Sequence, residues 1–172
     1  MENIITSLDK ITVKISEYQQ ALSLIEEKRN NWNHETKELV FRTLLNVQKS
    51  APLNWSVRKS EGVENLEEVC LRFNNSASGI TDYTRKEPST RTKYGGALVF
   101  DQEYNGDISV EIVYPFVENC VDGISNRKLD RVPPPRITED YITVQVIWFL
   151  DEMIKWENSS SKNVIGFKWD GD

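Results

Sequence analysis

The groups in this sequence that could do chemistry are carboxylates and basic side chains. Asp101 and Glu103 stand two apart in ALVFDQEYNGDISVEIVYPF, and strand alternation puts both on one side. Two acids on one face can hold a divalent cation or share acid–base work. Asp107 and Glu111 fall on the other side, and the segment carries no lysine to complete a metal-dependent nuclease. A metal-assisted hydrolase using Asp101 and Glu103 is therefore an alternative, set behind the plainer reading that this face meets solvent near the turn.

The basic groups lie in two stretches that look irregular. Residues 74–96 and 118–137 are rich in Ser, Thr, Asn and Gly, and the second ends in Pro133-Pro134-Pro135. Together they carry Arg85, Lys86, Arg91, Lys93, Arg127, Lys128, Arg131 and Arg136, against Asp82, Glu87, Glu118, Asp122 and Asp130. Loops this long inside one domain are usually functional or disordered. A basic rim of this kind suits an anionic ligand or partner: a phosphate, an acidic peptide or a nucleic-acid backbone.

Other chemistries lack their residues. The one histidine, His34, cannot build a triad or a multi-histidine zinc site. Cys70 and Cys120 are far apart and without metal-ligand spacing, and read as reduced thiols. No glycine motif cradles a phosphate; Gly95-Gly96 reads as a turn. No cofactor is expected, and enzymatic activity is the less favoured class.

The elements that must position these groups follow from periodicity. Ile4, Leu8, Ile11, Ile15, Tyr18, Leu22 and Ile25 alternate spacings of four and three, the seam of a coiled coil, and predict a helix over residues 4–29. Asn30, Asn31 and Asn33 should break it. Asn33 should then cap a second helix with Val40, Leu44, Val47 and Ala51 on one stripe, ending at Pro52. The two would form an antiparallel helical hairpin, the second covering most of the first helix's seam. A homodimer through helix 4–29 is the competing use of that stripe.

LNWSVRK and EEVCLRF alternate as half-buried strands. Asn105-Gly106 predicts a two-residue type I′ hairpin, with Val99 opposite Ile112 and Ala97 opposite Tyr114. Thr138 should cap a helix whose stripe is Ile142, Val146, Phe149, Met153 and Trp156. Ile165, Phe167 and Trp169 suggest a short closing strand.

The expected fold is α+β: an N-terminal helical hairpin, an antiparallel sheet of four or five strands, and a C-terminal helix followed by a strand. We expect a single domain over 1–172, with the helical hairpin at 1–51, strands and a long loop at 52–117, a loop at 118–137, and helix and closing strand at 138–172. The net charge is −6 and the pI near 5.0, so no molecule-wide basic field exists. The start lacks a signal-peptide pattern, and VIWFL at 146–150 is too short to span a bilayer, so a cytoplasmic location off the membrane is expected. The function expected first is a non-enzymatic protein-interaction module (regulator, adaptor, or chaperone- or immunity-type partner) docking a protein through the helices or the loops. A binder of an anionic ligand or nucleic acid through the basic stretches comes second.

Overall fold

The computed structural model describes residues 2–84, 86–120 and 125–159, with side chains from Ser7 onward. Helix α1 (Glu2–Asn31) runs without a break into a π-helical segment (Trp32–Thr36) and then α2 (Lys37–Ser50). The expected helical hairpin does not form. Asn31 and Lys37, at the joints, both keep right-handed helical backbone angles. Asparagine costs a helix only about half a kcal/mol, whereas burying Trp32 stabilises it by roughly 2–3 kcal/mol. Trp32 is fully buried. Thr36 also ties the segment down, its hydroxyl meeting the Asn31 side-chain oxygen at 2.7 Å and the Pro134 carbonyl at 3.3 Å.

Eight strands follow: β1 (Trp55–Ser60), β2 (Glu68–Phe73), β3 (Ser76–Asp82), β4 (Ser89–Tyr94), β5 (Ala97–Gln102), β6 (Ile108–Val113), β7 (Phe116–Val117) and β8 (Asn126–Val132). All pairings are antiparallel, in a five-stranded sheet β1-β2-β5-β6-β8 and a three-stranded sheet β3-β4-β7. The fold class is thus α+β, with a second sheet where loops were expected. Stretch 74–96 is mainly the β3–β4 hairpin, and the described part of 118–137 holds strand β8. These strands are polar, β3 and β4 partly and β8 mostly exposed, so they lack the apolar alternation that marks a strand in sequence. The predicted closing strand at 164–169 lies outside the described residues.

The two sheets share their strand order. β2 leads into β3, β4 into β5 and β6 into β7, so three neighbouring strands bend together. The bend falls at Asn74-Asn75, Gly95-Gly96 and Tyr114-Pro115. A Cβ on Gly95 would overlap the Phe73 carbonyl, and one on Gly96 would meet Met153 Sδ at 2.6 Å. Gly95-Gly96 is therefore not a turn but the place where neighbouring backbone and helix approach too closely for any side chain.

The β5–β6 hairpin exists, in a register one residue from that expected. Val99 faces Glu111, Leu98 faces Ile112 and Ala97 faces Val113. Gly106 N–H donates to the Glu103 carbonyl and Glu103 N–H to the Asp107 carbonyl, both at 2.8 Å. Only Gly106, at φ +79°, takes a left-handed conformation there. This is a three-residue loop with a glycine bulge, not a type I′ turn. The one-residue shift changes which side chains are inside: Leu98, Phe100, Ile108, Val110 and Ile112 are fully buried.

The last helix, α3 (Glu139–Glu157), begins as expected, with Thr138 Oγ1 accepting from Tyr141 N–H at 3.2 Å. Ile142, Val146, Phe149, Met153 and Trp156 are all buried. Val40 and Leu44 of α2 and the α3 stripe close one continuous core with the inner face of the large sheet. No described helix is long and apolar enough to cross a membrane.

Candidate functional site

The stripe read from sequence divides in two. Its lower part is seated on the body. Lys28 Nζ reaches Asp107 at 2.7 Å, Arg29 donates to the Tyr104 carbonyl at 2.7 Å and stacks over that ring, and Trp32 and Thr36 are buried. Its upper part projects past the β5–β6 turn. There Leu8, Ile11, Ile15, Tyr18 and Leu22 are 57, 55, 53, 66 and 48% exposed. Ile11, Ile15 and Tyr18 border a shallow groove with Lys10 and Lys14. Soluble proteins rarely leave one contiguous apolar stripe in water. The covering second helix expected from sequence is absent because that helix is the continuation of the first.

The seam residues share one face, while Val13 and Leu24, both 55% exposed, lie off it. Positions 8, 11, 15, 18 and 22 follow heptad spacing, and the same line continues through Ile25, Arg29, Trp32 and Thr36 onto the body. The helix face that would meet a partner is thus the face that carries the rest of the molecule.

The concave side of the sheet bend holds a second feature, a largely apolar cavity of about 550 Å³. Leu53, Phe73, Gly96, Pro115, Met153 and Ile154 contribute to its wall. Lys93 and Glu157 pair at its rim, with Lys93 Nζ 5.0 Å from the Trp156 ring centroid. The site can enclose an apolar group, but its lining brings no nucleophile or base pair together.

The basic residues singled out from sequence do not converge. Arg85 lies outside the described residues, and Lys86 is exposed in the β3–β4 connection. Arg91 is beside Asp82 and 3.1 Å from Cys120 Sγ; Lys93 pairs with Glu157. Arg127 meets Glu152 at 3.3 Å on α3. Lys128 and Arg131 point to the other end of the sheet, where both pair with Glu103 and Arg131 also lies 3.5 Å from Asp107. Arg136 sits in the short 3-10 turn Pro134–Arg136. Antiparallel β8 carries its charges back towards the hairpin turn, which the loop reading could not anticipate.

Asp101 and Glu103 do share the outer face of the large sheet. Burial, then the charges of Glu68, Glu111 and Glu103, raise the Asp101 carboxyl above its ordinary range. Glu103 is occupied by its two cations. Among the described residues no three His, Cys, Asp or Glu side chains gather as a metal would require. Cys70 is buried, and burial above all pushes its thiol up, away from nucleophilic behaviour. His34 is exposed on the π-helical segment.

The sequence reading offers helix 4–29 as a homodimer surface but favours a second helix covering its seam, and the structure leaves the end of α1 free of that cover. Its heptad signal was visible; the absence of an intramolecular cover was not. No family model, curated protein or solved structure matches the chain.

Proposed function

We propose that this chain is a protein-interaction module whose docking element is the projecting half of α1. The observation that carries the reading is the run of half-exposed apolar residues Leu8, Ile11, Ile15, Tyr18 and Leu22 on one helix face. Leaving five large apolar side chains in water forgoes burial worth roughly 1.5–3 kcal/mol each. Helix-in-groove and helix-on-helix recognition use this spacing of anchors. The remaining charged groups are mostly paired within the fold, which favours docking over catalysis as the use of this surface.

Quantitative co-purification of tagged wild type and the Ile15→Asp/Leu22→Asp variant tests the proposal. A stoichiometric companion, whether another chain or an untagged copy of this one, should be held by wild type and lost from the variant, with the body's thermal unfolding unchanged. Equal recovery of every companion by both proteins sinks the reading.

A further inference from the structure

We infer that the occupant of the α1 seam is a second copy of this chain, paired antiparallel about a twofold axis. The inference rests on the docking reading above and deepens it.

The geometry limits what can lie on the seam. The body occupies the same heptad line from Ile25 onward, and its β5–β6 turn blocks any helix running further: a Cβ on Gly106 would stand 2.8 Å from Lys28 Cβ and 3.2 Å from the Ile25 carbonyl. In a parallel pair of copies, each body would sit on the side facing the other, at the same end, and the two would collide. In an antiparallel pair the bodies lie at opposite ends. Each free helix runs along the free half of its neighbour.

The free segments match each other in length and pattern. The helical backbone from Glu2 to Leu24 spans about 35 Å. Full antiparallel overlap sets residue numbers of facing layers to a constant sum. It places Leu8 against Tyr18 of the second copy and Ile11 against Ile15, with both layers repeated by symmetry. Each layer joins an a position to a d position, as an antiparallel seam requires. Such an isologous contact closes on itself and leaves no further seam exposed.

Charge permits the pairing. Residues 7–24 carry two acids, Asp9 and Glu17, and two bases, Lys10 and Lys14, although the chain as a whole is at −6. Lys14 is already paired with Glu17 on its own helix. Of the flanking positions, Ser7, Thr12, Gln19 and Ala21 are uncharged and only Lys14 carries a charge, a thin code for selecting a foreign helix. A strip about 35 Å by 10 Å per copy gives about 700 Å² in total, below the roughly 1,200 Å² of standard specific interfaces and in the range of weak, transient ones. The dimer should therefore be reversible, with micromolar affinity.

The test uses the full chain. Differently tagged Leu8→Cys and Tyr18→Cys proteins are mixed and mildly oxidised; the native Cys70 and Cys120 are buried. A disulfide joining the two tags, with none from Leu8→Cys alone, is expected. Sedimentation velocity should show a concentration-dependent wild-type dimer, weakened roughly a hundredfold or more by Ile15→Asp/Leu22→Asp. Both substitutions are on the projecting half, so far-ultraviolet circular dichroism and unfolding of the body serve as folding controls. Self-crosslinking of Leu8→Cys overturns the antiparallel pairing. A wild type that stays monomeric yet holds a foreign chain through the seam overturns self-pairing and keeps the docking reading. A monomer with no seam-dependent companion overturns both.

Discussion

Lys28 and Asp107 meet at 2.7 Å where the projecting helix leaves the body. Burial alone would raise the Asp107 carboxyl, but hydrogen bonds from Lys28 and Asn105 and the charges of Lys28 and Arg131 outweigh it, and the net shift is downward. A carboxylate depressed in the folded state stabilises it above the unfolded pKa, near 3.9. That stability is lost as pH falls through the folded value. Asp107→Asn should cost about 1 kcal/mol at neutral pH, and much less near pH 2. Urea titrations of both proteins at the two pH values check this; an equal cost at both would show that the pair contributes nothing.

The hairpin loop that receives the helix depends on Gly106. Its φ of +79° and its closeness to Lys28 leave no room for a side chain. Gly106→Ala should destabilise the protein by roughly 1–3 kcal/mol. Gly79 also has positive φ, +76°, but open space around it. Gly79→Ala should therefore cost less. Thermal unfolding of the two variants orders them; the reverse order would contradict the contact made by α1.

Gln102 is 1% exposed, and among the described residues neither its side-chain nitrogen nor its oxygen has a hydrogen-bond partner. An unsatisfied buried amide costs on the order of 1–3 kcal/mol. Gln102→Met keeps the volume and removes that cost, so it should leave stability unchanged or raise it by about 1 kcal/mol. A marked loss in chemical denaturation would mean the amide does have a stabilising role.

Tyr141 O–H donates to Asp130 Oδ2 at 3.0 Å. Burial first, then this bond and the Asp130 charge, push the phenol well above its ordinary value near 10. A group raised on folding contributes stability below its unfolded pKa and loses it as pH rises towards the folded value. Tyr141 should therefore stay neutral in the native protein through the ordinary phenol range near pH 10. Ultraviolet titration of wild type against Tyr141→Phe checks this: the variant should lose no absorbance change near pH 10.5.

Much of this fold is legible in the sequence wherever one face is apolar and the other polar. The α3 stripe, its Thr138 cap and the alternation of β1 and β2 follow from that pattern. Long-range packing hid the rest. The asparagines at 30, 31 and 33 read as a break, but the buried Trp32 holds them in a helix. The strands β3, β4 and β8 pair by backbone hydrogen bonds with few apolar contacts, so composition presents them as loops. Asn105-Gly106 locates the hairpin, yet only the backbone angles of the turn fix its register. The seam of α1 was legible as a stripe, while its freedom from the body depends on the helix not turning back.

Hydrogen exchange along the projecting helix tests the central claim most directly. An unpaired helical end frays, and its amides exchange orders of magnitude faster than those of a packed core. A second copy on the seam predicts that amides of residues 8–22 become protected as protein concentration rises from nanomolar to tens of micromolar, with those of β5 and β6 unchanged. Rapid exchange of residues 8–22 at every concentration, beside a well-protected sheet, would contradict it.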